Sequence, residues 1–292
     1  MRIVAAGASG FLGQPLVAHL RHAGHDVIQL VRREPKSPDE QRWDPSTGGV
    51  RLPDGTDAVV NLCGVGVGDH RWTDSYRALI RSSRIDPTKT LARAVKAQGV
   101  RTLVNASGIG AYGDRGDEVI TEATPTENDS FLGRLSADWE AAAFSAEPAR
   151  VVVLRTGLPL DRKGGLLQPM VLPFSLGLGG KLGSGKQWMP WVSQEDWLRA
   201  AAYALTEDVL AGPVNVVGPT QATNAEFTAE FGRLLHRPTF MPLPQLPLRL
   251  AIGEFADEAF KSFRAVPEAL NRAGFTFHHG TVGEALATAL KR

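Results

Sequence analysis

Gly7-Ala8-Ser9-Gly10-Phe11-Leu12-Gly13 (GASGFLG) follows directly on the apolar run Ile3-Val4-Ala5-Ala6. An apolar strand, three glycines at intervals of three, then a helical pattern is the order of a dinucleotide loop. The first glycine permits a tight turn, the second lets backbone approach a phosphate, and the third lets the helix pack on the strand. A pyrophosphate then meets the free N–H groups of a helix N-terminus, and Ser9 adds a hydroxyl donor. The helix is predicted over 12–23, with Leu12, Leu16, Val17 and Leu20 on one face. Pro15 falls in its first turn, where a missing N–H costs little.

Working outward, apolar strands are predicted at 1–6, 27–31, 58–62, 102–106 and 151–154, with helices over 86–98 and 132–146. Short apolar strands separated by helices predict an α/β, doubly wound parallel sheet of Rossmann type, covered on both faces. Residues 161–192, rich in Gly, Leu and Pro, read as loop with some helix. Thr223 to Leu235 reads as a helix with Thr223 and Glu226 as a capping box, and Thr281 with Glu284 repeats that pattern near the end. Residues 238–248 (PTFMPLPQLPL) carry four prolines and read as extended or turn. The expected division is a nucleotide domain over 1–160, completed by parts of 193–222, and a smaller α/β lobe over 161–292 interleaved with the sheet.

Composition narrows the function classes. The chain has 292 residues, 43% hydrophobic and 22% charged, with net charge +1. No global field favours nucleic acid or membrane, no apolar run is long enough for a spanning helix, and no secretory leader is visible. The single cysteine, Cys63, excludes an internal disulfide and a cysteine-cluster metal site. His278 and His279 are adjacent rather than at helical ligand spacing, so no metal is expected. The expected setting is the cytoplasm, with a small-molecule substrate, no nucleic-acid or membrane partner, and a monomer or homodimer.

The end of the second strand selects the cofactor. An NAD site places Asp or Glu there to accept from the ribose 2′-OH. Here the place holds Val31-Arg32-Arg33. Guanidiniums cannot accept a hydrogen bond but match a 2′-phosphate, so NADP(H) is predicted over NAD. The alternative is that both arginines are solvated surface charges.

The glycine spacing resembles the extended short-chain dehydrogenase/reductases. More closely, the chain is similar to epimerase-family proteins with a C-terminal domain of unknown function, sometimes labelled cell-division-inhibitor-like. The segments that carry this resemblance include NLCGVGVGDHRW (61–72), SSRIDPT (82–88), SGIGAYGDRGDEVITEATP (107–125), LRTGLPLDRKGG (154–165), PFSLGLGGKLGSGKQWMPWV (173–192), GPVNVVGPTQATNAEF (212–227) and RPTFMPLP (237–244). It implies NADP held by Gly7, Ser9, Gly10, Phe11, Leu12 and Gly13, with Val31, Arg32 and Arg33 at the adenosine phosphate. Leu62, Cys63 and Gly64 would line the adenine and ribose side, Arg84 would reach a ribose or phosphate, and Leu160 would approach the nicotinamide. It also implies that 240–292 is family-specific.

Short-chain dehydrogenases use Tyr as acid/base and a Lys four residues later. The corresponding helix here reads FLGRLSADWEAAAF, with neither residue. Aligned on Glu140, Leu132 takes the Tyr place and Ser136 the Lys place. Ser107 and Tyr112 remain as weak catalytic candidates, Ser107 one residue early for the hydroxyl and Tyr112 either structural or catalytic. A family His in the stretch 191–196 is replaced by Ser193. The stretch 177–191 (GLGGKLGSGKQWMPW) reads as a substrate cleft in which Lys181 and Lys186 meet an anion and Trp188 and Trp191 offer flat surface, with Trp72 facing the same space. The alternative is a glycine loop whose tryptophans anchor the lobe. Three functions stay open: an NADP-dependent oxidoreductase or epimerase of unidentified substrate, a sugar nucleotide among the classes that fit; an NADPH-binding or sensing module without turnover; and an enzyme whose chemistry bypasses the nicotinamide.

Overall fold

β1 (Arg2–Ala6) buries both its faces, Ile3 and Ala5 toward one helical layer and Val4 and Ala6 toward the other. The same two-sided burial recurs in β2 (Asp26–Val31), β4 (Ala58–Asn61), β5 (Thr102–Gly108), β6 (Arg150–Thr156) and β7 (Gly212–Val216), while β3 (Glu40–Arg42) is a short edge with no fully buried residue. They pair in the order β3-β2-β1-β4-β5-β6-β7, every pair parallel. The order reverses between β1 and β4, and open parallel sheets bind ligands outside the strand ends at such a point. The computed structural model describes residues 1–291; Arg292 and the side chains of Ala251 and Ile252 lie outside the described residues.

The helices are α1 (Gly13–His22), α2 (Asp74–Gln98), α3 (Phe131–Phe144), α4 (Leu167–Ser175), α5 (Gln194–Thr206), α6 (Asn224–Leu235), α7 (Gln245–Ile252), α8 (Phe255–Glu258), α9 (Glu268–Arg272) and α10 (Val282–Lys291). On one face of the sheet α1 packs Leu16, Val17 and Leu20 beside Trp197, Ala201 and Leu205 of α5, and Leu270 and Phe275 return to the same core. The other face takes Leu91 and Val95 of α2 and Ala143 of α3. A separate core holds Leu160, Leu167, Phe174, Trp191, Phe227, Phe231, Val282 and Leu286. A small parallel pair, Val119–Ile120 with Arg264–Ala265, ties the last quarter of the chain to the loop after β5.

Two predicted elements change. α2 begins at Asp74, three turns before the predicted 86, because Thr73 caps it by accepting from the Tyr76 N–H and the helix accommodates Pro87. Residues 238–248 are not wholly extended: Gln245–Ile252 is helical, with Pro247 in the first turn, where no N–H is needed. The capping box on α6 forms with both of its halves.

Candidate functional site: a dinucleotide loop without an acid/base tyrosine

The glycines of 7–13 hold three distinct conditions. Gly7 has φ +76° and its missing Cβ would lie 2.5 Å from the Leu62 carbonyl carbon, so only glycine fits. A Cβ on Gly13 would run into the Gly7 oxygen and Ala8, which seats α1 against the loop. Gly10 is open: the nearest atom to its Cβ position is the Gly7 oxygen at 3.4 Å. The N-cap of α1, Leu12, has no side-chain oxygen to offer and the first turn carries no acid. The positive helix end is therefore left for an outside anion, which fits a pyrophosphate over the exposed Ser9 and Gly10. The Phe11 ring packs on Gly164 and Gly165 and so links the loop to the second core.

The two arginines after Val31 separate. Arg33 forms a bidentate pair with Glu40 of β3, 2.8 and 2.6 Å, and donates to the Glu34 carbonyl. Those bonds, with the Lys36 N–H, draw the Glu40 carboxyl down to about 2. Arg33 is thus engaged at the sheet edge, with its side chain 48% exposed. Arg32 is exposed, has no ion pair among the described residues, and its charge reaches the Cys63 thiol. Burial nonetheless pushes that thiol up to about 12.

The loop after β4 is held from beneath by polar groups that sequence reasoning missed. The Leu62 N–H donates to the Ala6 carbonyl at 2.9 Å and the Cys63 N–H to Asn61 Oδ1 at 3.1 Å. Asn61 donates to Thr88 and Asn105 at 2.8 and 2.7 Å, and Trp139 Nε1 donates to Thr88 at 2.9 Å. Arg84 lies against Gly64, where a Cβ would sit 2.9 Å from its guanidinium carbon. It donates to the Ile80 and Val65 carbonyls and stacks 5.2 Å from the Trp139 ring. Burial lowers its pKa to about 10, and no carboxylate pairs with it among the described residues.

The catalytic candidates belong to one buried network. Ser107 Oγ donates to Glu140 at 2.8 Å, and Arg155 grips Glu140 at 2.9 and 2.7 Å. Arg155 donates to the Tyr112 hydroxyl at 2.8 Å, and that hydroxyl donates to Asn215 Oδ1 at 2.8 Å. Tyr112 is 0% exposed, and burial raises its pKa above the ordinary phenol value. Both hydroxyls are thus engaged within the protein: Ser107 with Glu140, and Tyr112 between Arg155 and Asn215. Burial opposes the charge on Arg155, but the Glu140 bonds outweigh it and raise its pKa. Leu132, in the tyrosine place, packs 3.4 Å from where a Gly110 Cβ would be, and Ser136 is buried. The other two tyrosines are also committed: Tyr76 donates to the Gly66 carbonyl and Tyr203 to the Ala273 carbonyl.

Several residues expected at a substrate cleft hold the lobe instead. Trp191 and Leu160 are each 1% exposed within the second core, so neither offers an open face to a cleft. Trp188 donates to Asp117 at 2.9 Å with Arg264 stacked 4.6 Å from its ring, an anchor rather than a free platform. Trp72 donates to the Val67 carbonyl and packs on Phe131 and Phe255. Lys186 is exposed, and Lys181 lies along Gly185. Ser193, in the family His place, caps α5 and bonds Asp196, which also receives the His278 and His279 N–H groups. A cavity of about 660 Å³ lined by His19, Tyr203, Phe275 and His278 lies at the far end of α1 from the glycine loop.

Comparison with known proteins now places this geometry. Residues 3–218 match the model of the NAD-dependent epimerase/dehydratase family, and residues 243–289 match a domain of unknown function, DUF1731. The chain belongs to the NAD-dependent epimerase/dehydratase family. An epimerase family protein of Mycobacterium bovis is 48% identical over 296 residues, covering 99% of this chain and 98% of that one. The YfhF epimerase family protein of Bacillus subtilis is 33% identical, covering 98% and 97%. Among solved structures, human epimerase family protein SDR39U1 with NADPH aligns with a TM-score of 0.92 at 32% identity, covering 100% of this chain and 99% of that one. A UDP-galactose 4-epimerase aligns with a TM-score of 0.73 at 18% identity, covering 99% and 97%, a likeness of fold alone. The family's fold is thus complete in this chain, with Leu132 and Ser136 in the places that the resemblance gives to Tyr and Lys.

Proposed function

We propose that this chain is an NADPH-binding protein of the epimerase family that holds the cofactor without running tyrosine-dependent sugar chemistry. The observation that carries this reading is the contrast within one site. The dinucleotide loop is built and open at Gly10, whereas Leu132 fills the tyrosine place and all three tyrosine hydroxyls are committed to protein acceptors. Gly7, Gly10, Gly13 and the α1 N-terminus would hold the pyrophosphate, and Arg32 the 2′-phosphate. When bound, the cofactor supplies a transferable hydride. The human relative crystallised with NADPH supports the cofactor choice.

A second reading, an oxidoreductase that draws its proton from water or from the substrate itself, is favoured by Arg84. Among the described residues its desolvated guanidinium donates to carbonyls and lies over a ring, and so suits an anionic group entering from outside.

Binding tests the cofactor assignment. Calorimetric titration should give tighter binding of NADPH than NADH. Arg32→Asp should weaken NADPH by roughly 10- to 100-fold, the worth of a charge-assisted contact, and leave NADH nearly unchanged. Arg33→Ala should leave the preference intact. Equal weakening of both cofactors by Arg32→Asp would remove the 2′-phosphate assignment.

A further inference from the structure

Two apolar stretches of this chain, 164–180 (GGLLQPMVLPFSLGLGG) and 238–248 (PTFMPLPQLPL), hold no charged residue. The fold lays them side by side. Gly180 bridges to Phe240 and Leu182 to Leu243, and the Leu243 N–H donates to the Lys181 carbonyl at 2.8 Å. Arg237 stitches the seam by donating to the Ser175 carbonyl. Leu172, Leu176, Leu178, Phe240, Met241, Leu246 and Leu250 stand out from this face, each between 57 and 81% exposed. Only four other large apolar side chains among the described residues are comparably bare, and they are scattered at 1, 79, 119 and 209. A concentration of this kind marks an interaction surface rather than ordinary surface statistics.

The charges that flank it are mostly basic. Arg162 and Lys163 precede the first stretch and Lys181 follows it; Arg237 precedes the second and Arg249 follows it. Lys163, Lys186, Arg237 and Arg249 are exposed. Of the acids beside it, Asp161 is buried and Asp257 is engaged by Arg249 at 3.6 Å and by Gln245 at 3.1 Å. A second copy of the chain brought onto this face by two-fold symmetry would set basic rim against basic rim. An anionic lipid surface satisfies both features at once, since apolar side chains enter the interfacial zone while lysine and arginine meet the headgroup phosphates.

We propose that the face formed by 164–180 and 238–250 docks this protein on a bilayer surface rich in anionic lipid. Such docking is peripheral, and no helix among the described residues is long and apolar enough to cross a membrane. It departs from the expectation, drawn from the near-zero net charge, of no membrane partner: the relevant charge is local, around an uncharged apolar face. The inference is independent of the cofactor reading.

Co-sedimentation of the full chain with phosphatidylcholine vesicles, with and without phosphatidylglycerol, is the test. The expected result is binding to the phosphatidylglycerol vesicles, weakened by salt. A Leu172→Glu/Leu246→Glu double variant should reduce it by about tenfold or more with unchanged thermal melting, both sites being exposed. No sedimentation with the anionic vesicles, or equal sedimentation of the double variant, overturns the proposal. So does a wild-type dimer in sedimentation velocity that the double variant abolishes without any vesicle binding, which would give the face to a second copy. Failure of vesicle binding alongside an acidic-protein partner that the variant loses overturns it as well.

Discussion

Arg32 and Arg33 are adjacent in sequence and do different work. Arg33 braces β3 through Glu40, while Arg32 carries no ion pair among the described residues and stands at the end of β2. The sequence alone shows two cations where NAD enzymes place an acid, but not which one the sheet edge takes, because Glu40 lies in a three-residue strand too short to foresee. Tyr112 illustrates the same limit. Its tyrosine-glycine context resembles a catalytic loop, yet Arg155 and Asn215, far away in sequence, close on its hydroxyl from both sides. Tyr112→Phe should therefore cost ~1–3 kcal/mol in urea unfolding, the worth of leaving buried partners unpaired, and leave NADPH affinity unchanged. Lost cofactor affinity or activity at unchanged stability would return Tyr112 to a catalytic role.

At the scale of elements, the glycine loop was legible because its constraints are local: each glycine answers to backbone within the loop itself or to the neighbouring strand end. Its three positions make separable predictions. Gly13→Ala should destabilise the protein by ~1–3 kcal/mol, as overpacking against the Gly7 oxygen and Ala8 does. Gly10→Ala should melt like wild type, since its Cβ has room, yet bind NADPH roughly tenfold or more weakly by blocking the phosphate's approach. Paired melting curves and titrations check both; normal NADPH binding by Gly10→Ala would mean the phosphate sits elsewhere. The start of α2 and all of α7 were not legible, because prolines at 87 and 247 mark boundaries in sequence that the helices do not obey. In α7 the proline occupies a first-turn position that needs no N–H.

Over the whole molecule, the chain crosses between its two parts repeatedly. β7 and α5 complete the nucleotide sheet after the chain has built part of the second core, and Leu270 and Phe275 return to the sheet near the end. Alternating strands and helices made the sheet readable. What escaped was the assembly of distant residues: Trp191 carries the composition of a cleft but fills a core, and the Ser107–Glu140–Arg155–Tyr112–Asn215 network joins four separate segments. For the proposed function, the consequence is that a complete dinucleotide fold coexists with apolar Leu132 in the place that the resemblance gives to Tyr. Incubation of the NADP-loaded protein with UDP-hexoses, following nicotinamide absorbance and epimer formation together, tests this most directly. Retention of bound cofactor with no absorbance change and no epimer is the predicted result; sustained epimer formation, or a reduced nicotinamide signal dependent on the sugar nucleotide, would contradict it.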